Sequence, residues 1–505
     1  MRGRALAWTT AAAVALVLLA FAVYGYPPPG SDAPSFLASA VDFRLGRGLV
    51  NPFYPQMAFA DPTGARRHVY YPPLFPLVLS VLMPRPTSQG AFLAVAALRA
   101  ASVLLSCALL LRVARLAPGR AEGAGTPAVV TLSLIGLATP WLPTLGRPEA
   151  LATLLVILAA LGALRLEGHA LTAFLGIMAG LVAAAQPFAA LELTLVVGMA
   201  WSIREPATAV LVKTAAVAGI GLAVFAAALA ASPHGLGETL SGMARAFPHT
   251  PWGAPPGEGW WRPWITARTS TFYGPLFAAA ALCGAHLLVR RGGVRSRAAL
   301  GAFALALLAC LYLGSLTHHS RRNYNALVLS PLAFGIVVFW YATSQGGQGG
   351  RGARFGRAAC LACVMATGAG FLGQLAAFPW LLAHGRGLQA ARTAWSAVPF
   401  PAGAPVVLMG NLWPLSEDYD RMQLLSPALL GDAMRHRPVP VLALGQRPEH
   451  RGAPPPLTGF ELIHDGFNRE WTRRPPLLRY FLAEDYSFAV YRPVPGAAAP
   501  AAVSR

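Results

Sequence analysis

The chain has 505 residues, of which 55% are hydrophobic and 12% charged, about half the charged share of roughly 25% typical of soluble domains. That composition excludes an ordinary soluble protein and points to a membrane protein. The net charge of +20 would suit a nucleic-acid binder, but the arginines stand in short clusters between apolar runs, the pattern that encodes membrane topology.

In chain order, apolar runs near the roughly 20 residues needed to cross a bilayer cover about 5–26, 89–114, 126–145, 149–166, 170–187, 188–203, 207–231, 272–290, 298–316, 324–342 and 358–380. The expectation is an all-α polytopic membrane protein with about 11 transmembrane helices. The first run follows Arg2 and Arg4, has no clear small-residue cleavage site after it, and reads as a signal anchor.

With a cytoplasmic N-terminus, every second loop is basic. Those loops carry Arg112, Arg115 and Arg120; Arg165; Arg204 and Lys213; Arg290, Arg291, Arg295 and Arg297; and Arg351, Arg354 and Arg357. All five clusters then obey the positive-inside rule. Counting "YYPPLFPLVLSVLMP", residues 70–84, as a span would invert every later loop. It is broken by Pro72, Pro73 and Pro76, so it reads as an interfacial or re-entrant helix on the outer side.

Beyond residue 400 the chain becomes proline-rich and charged, with short apolar runs "PVVLMG", "PVPVLALG", "FELIHDG" and "YSFAVYR". The stretch "EDYDRMQLLSPALLGDAMRHR" between the first two reads as one or two helices. Together these predict a small C-terminal α/β extracytoplasmic domain. The expected organisation is a transmembrane domain over 1–385 with a first outer loop at 27–88, the outer domain at 400–495, and a disordered tail at 496–505. Cys107, Cys283, Cys310, Cys360 and Cys363 all fall in apolar runs and read as buried thiols; the Cys360–Cys363 CxxC has no second pair to make a zinc site.

The first outer loop carries the most informative polar residues. Ser31 and Asp32 precede "APSFLASAVDFRLGRG", a short amphipathic helix. Asp32 is either an N-cap for that helix or a general base facing a membrane-embedded cleft. The order of a first span, "GSDAPSFLASAVDFRLGRGLVNPFYP", "YYPPLFPLVLSVLMP" and a span holding "FLAVAALRAASVLLSCALLLRVARL" resembles GT-C glycosyltransferases, in particular the ArnT-like and protein mannosyltransferase (family 39) branch. The likeness covers about the first 170 residues; in "LRAAS" the Leu that the branch has after the Arg is absent.

The resemblance implies an enzyme that transfers a sugar from a polyprenyl-phosphate donor on the outer face of the cytoplasmic (inner) membrane, with Asp32 deprotonating the acceptor. Asp42 reads as a solvated partner of Arg44 or Arg47. Pro148 and Glu149 of "PTLGRPEALATLL" read as a helix start, and by the resemblance Glu149 is a second catalytic candidate, with Arg147 beside it suited to a phosphate. In "SLTHHSRRNYNAL", Arg321 and Arg322 lie on the outer side against the charge rule, where paired charge-assisted bonds would suit a donor phosphate. His318 and His319 could be metal ligands, but no third ligand is evident; His319 and Tyr71 join the substrate-binding candidates. Arg99, near mid-span, needs a polar cavity or an acid such as Glu192. Trp252, Trp260, Trp261 and Trp264 fit a membrane interface or a sugar face.

No certain cofactor and no metal ligand set is legible, although a divalent ion could take part. The expected partners are membrane lipid, the lipid-linked donor and an acceptor of unknown kind, with no nucleic acid. A transporter or flippase, and an inactive GT-C-like scaffold, are the alternatives.

Overall fold

The computed structural model describes residues 2–26, 28, 33–51, 67–117, 125–139, 146–246, 268–291, 294–316, 322–344, 351–400, 406–415, 422–425, 441–446, 450, 452–470 and 485–494. These form helices α1 (Arg2–Val23), α2 (Ala33–Arg44), α3 (Leu74–Leu82), α4 (Ser88–Arg115), α5 (Gly125–Ala138), α6 (Glu149–Ala163), α7 (Gly168–Ala185) and α8 (Pro187–Ser202). Then follow α9 (Ala207–Ala230), α10 (Gly235–Ala246), α11 (Arg268–Arg291), α12 (Arg297–Leu316), α13 (Arg322–Ser344), α14 (Arg351–His384) and α15 (Leu388–Ser396). Each expected apolar run is therefore occupied by a helix. Among the described residues five helical stretches are long and apolar enough to cross a bilayer: those over Gly3–Val23, Ser88–Arg115, Gly168–Ala185 and Ala207–Ala230, and the stretch Arg354–Ser396. Large apolar side chains such as Leu16, Val212, Leu222 and Leu305 are exposed, whereas Arg99, Glu149 and Glu192 are fully buried. That inverted pattern is the one a lipid solvent selects.

Among the described residues two apolar clusters build the interior. One joins α2, α3, α4 and α6–α8 to the C-terminal segment through Phe36, Phe75, Phe92 and Trp413. The other holds α1, α5, α11, α13 and α14 through Leu18, Leu134, Phe334 and Phe371. Helices α7 and α9 pack closely because glycines let their backbones approach: a Cβ on Gly180 would lie 2.6 Å from the Gly221 carbonyl oxygen and 2.5 Å from Val224 Cβ. Such small-residue seams hold membrane helices together without a hydrophobic driving force. Gly180→Leu is expected to cost ~1–3 kcal/mol by overpacking, read as a lower unfolding temperature of the detergent-solubilised protein.

The ends of the bundle differ. At one end Arg112 donates to the Leu164 carbonyl at 2.8 Å and Arg357 to the Ser344 carbonyl at 2.7 Å. The Ser296 amide donates to the Ser202 carbonyl at 3.1 Å, which brings the loop of Arg204 to that of Arg295 and Arg297, and Lys213 pairs with Glu205 at 2.6 Å. The opposite end is capped by α2, α3, α10 and the C-terminal segment. Nine-residue α3 rises about 14 Å, less than half a hydrocarbon core of about 30 Å, and leaves Val81 and Leu82 exposed. It cannot span, in keeping with the interfacial reading.

The C-terminal segment forms a five-stranded mixed sheet of order β2-β1-β3-β5-β4, from β1 (Val406–Met409), β2 (Met422–Leu425), β3 (Leu442–Gly445), β4 (Phe460–Gly466) and β5 (Phe488–Pro493). β1 pairs in parallel with β2 and β3, while β5 is antiparallel to β3 and β4. The four short apolar runs became strands, but "MQLL", expected to be helical, is β2. Met, Gln and Leu favour helices in isolation; here four residues complete the ladder along β1, and tertiary pairing overrides that preference. The segment is tied to the bundle where the Tyr486 hydroxyl donates to the Gly25 carbonyl and Arg392 donates to Ser88 Oγ and the Pro414 carbonyl, each at 2.9 Å.

Candidate functional site

At the capped end the start of α2 meets the turn that carries Arg147 and Glu149. Gly146 takes φ +91°, a left-handed conformation that glycine adopts without penalty. A Cβ there would also lie 2.8 Å from Leu37 Cδ1 and 3.0 Å from Ala33 Cβ. So the first residues of α2 press on the Gly146–Pro148 turn that delivers Arg147 and Glu149. Asp32 itself, like Arg321, His318, His319 and the four tryptophans at 252–264, lies outside the described residues. Arg322 opens α13.

Glu149 is the first residue of α6, follows Pro148 and is fully buried. Its carboxylate accepts from Arg147 Nε at 3.2 Å and Arg147 Nη2 at 3.4 Å, and from Gln186 Nε2 at 3.0 Å. The exposed N–H groups of the helix start favour an anion at this place. With both oxygens engaged, Glu149 is a fixed acceptor that orients Arg147. The Arg147 side chain keeps 13% exposure against 0% for Glu149, so the guanidinium is the member of the pair nearer to solvent. Gln186 was missed in the sequence, although it is an uncharged polar residue set in an apolar run just before Pro187; the proline holds it extended at φ −150°, ψ 98°.

Tyr71 is half-buried, its ring set edge-on to Phe36 at 5.0 Å. Arg99 lies about 16 Å along α4 from its start and is fully buried; Glu192 is equally buried on α8, and α13 packs on both helices. Asp42 meets Arg47 at 3.4 Å on the surface. Among the described residues no group of three or more His, Cys, Asp or Glu could hold a metal ion.

A second cluster, also missed, fixes the return of the loop between α1 and α4. Ser39 on α2 faces His68 Nδ1 at 3.0 Å. The His68 amide donates to the Leu49 carbonyl at 2.9 Å, and His234 Nε2 lies 2.9 Å from the same oxygen. Burial, and then the neighbouring His234, push His68 from its ordinary 6.5 down to about 3. The unfolded chain therefore takes up this proton below about pH 6.5 while the folded chain waits until about 3. Stability contributed by the neutral ring falls as pH drops through that window, at up to ~1.4 kcal/mol per pH unit. Unfolding midpoints compared at pH 7 and pH 5 should show the loss, and His68→Gln should make it smaller.

No family model matches the sequence, and no curated protein does. Among solved structures the chain is similar to ArnT from Cupriavidus metallidurans in the apo state, at 12% identity and TM-score 0.43 over 97% of this chain and 98% of that one. The same enzyme bound to undecaprenyl phosphate matches at 14% identity and TM-score 0.43 over the same shares. The Archaeoglobus fulgidus oligosaccharyltransferase tethered with an acceptor peptide matches at 10% identity and TM-score 0.46 over 87% of this chain and 69% of that one.

Proposed function

We propose that the chain is a membrane glycosyltransferase that moves a sugar from a polyprenyl-phosphate donor to a lipid, glycan or protein acceptor at the outer face of the cytoplasmic membrane. The observation that carries this reading is the seat of Ala33 and Leu37 against Gly146. It sets the helix start that follows Asp32 beside the turn bearing Arg147 and Glu149. A carboxylate can there take the acceptor's proton as the hydroxyl attacks the anomeric carbon. An arginine clamped by a buried acid can hold the departing phosphate, stabilising charge as it develops. Arg321 and Arg322 are the further phosphate ligands in this proposal, and Tyr71 and His319 flank the sugar. Arg99 lines the lipid-tail side of the cleft.

In this reading eleven helices cross the membrane, the arginine-rich end faces the cytoplasm, and the mixed sheet is the outer domain that meets the acceptor. The donor carries its activation in the phosphate linkage, which suits a compartment without nucleotides. The test reconstitutes the purified protein in vesicles with radiolabelled polyprenyl-phosphate sugars and native membrane extract as acceptor source. Release of free polyprenyl phosphate with label in an acceptor is the expected result. Label carried across the bilayer still attached to its lipid would replace this reading with a flippase. Donor binding without turnover would make the protein a scaffold.

A further inference from the structure

We propose that His68 Nε2 is the hydrogen-bond acceptor for a hydroxyl of the transferred sugar, an inference that rests on the transferase reading above. The argument begins at Ser39, which has one proton to give. Its Oγ lies 2.7 Å from the Ser35 carbonyl and also within reach of the Val50 carbonyl, oxygens that can only accept. The proton goes to one of them, and a lone pair of Ser39 faces His68 Nδ1 at 3.0 Å. Nδ1 therefore carries the ring hydrogen, and Nε2 is left as a bare acceptor.

His68 is fully buried, and among the described residues its Nε2 has no hydrogen-bond partner. A bare acceptor in a low-dielectric setting is expensive to leave unmade, and native chains keep few of them without a use. The surroundings say what kind of partner fits. The Tyr70 ring is 4.6 Å away and the Phe36 ring 6.1 Å, edge-on; Phe36 in turn packs on Tyr71. These are aromatic faces and edges of the sort that bracket a sugar ring. A neutral imidazole nitrogen that can only accept repels a phosphate and calls for an O–H or N–H donor. The ligand group it selects is thus a hydroxyl of the sugar, while Arg147 and its neighbours take the phosphate.

The experiment compares a sugar donor on a short polyprenyl phosphate with its monodeoxy series, in the full-length reconstituted protein, for wild type and His68→Asn. Asparagine can still donate to Ser39 from near the Nδ1 position but has nothing at Nε2. In wild type, removal of one particular hydroxyl should lower kcat/KM about tenfold, chiefly through KM. In His68→Asn that penalty should vanish, with the unfolding temperature kept. A wild type that tolerates every deoxy donor would overturn the inference whatever the variant does, as would a variant that folds and retains the full penalty. Failure of the wild type to use the parent donor at all refutes the proposed function; transfer without a His68-dependent deoxy penalty refutes this inference alone.

Discussion

Asp32→Asn should lower sugar transfer by about 10²–10⁴-fold, the range typical when a positioned general base is lost, while leaving the unfolding temperature nearly unchanged. The substitution separates the two roles open to this residue. Asparagine caps helices about as well as aspartate, so any capping that residue 32 gives to the start of α2 at Ala33 is kept, and the seat of Ala33 on Gly146 is undisturbed. What the amide cannot do is take a proton. If Asp32 were only a cap, Asp32→Asn would turn over normally and Asp32→Ala would lower stability by ~1 kcal/mol. If it is the base, both variants lose transfer and only the alanine loses stability. The measurement is initial transfer rate beside thermal unfolding, on the same preparations. Near-normal turnover in the asparagine variant would remove Asp32 from the chemistry.

The helices were legible because membrane helices are written in length and composition: every expected run from 89–114 to 358–380 holds a helix whose ends differ from those expected by up to seven residues. The four β-runs of the tail were legible for a similar reason, being short, apolar and flanked by turn residues. β2 was not. Its four residues, Met422–Leu425, have no strand signature of their own, and their state is set by β1 alongside. The same holds for the site. Glu149 could be read as a helix start from Pro148 and the acid after it, but its ties to Arg147 and Gln186 depend on the α7–α8 junction folding back over α6. The Ser39–His68 contact joins residues 29 apart in sequence, and nothing local marks either one. What sequence spacing cannot show is which loops share an end of the bundle; the contact of Gly146 with α2 supplies that.

Glu149→Ala should be the most destabilising single change at the site, about 3–5 kcal/mol, the usual cost of breaking a buried ion pair from one side. Arg147, largely buried, would lose the Glu149 carboxylate, and Gln186 would lose an acceptor 3.0 Å away. Loss of activity in that variant would prove little, because a damaged fold also loses activity. The informative change removes both charges: Glu149→Leu with Arg147→Leu. Replacing a whole buried pair with apolar groups of similar size is often neutral or stabilising, so the double variant should recover most of the lost unfolding temperature. If Arg147 holds the donor phosphate, transfer stays low in the double variant despite the recovered fold, and KM for the donor rises. If the pair merely braces the turn beneath α2, transfer returns together with stability. Recovery of both would leave Glu149 and Arg147 as scaffolding and move phosphate binding to Arg321 and Arg322. Recovery of stability alone would assign the guanidinium to the donor, with Glu149 acting through it as a positioning residue.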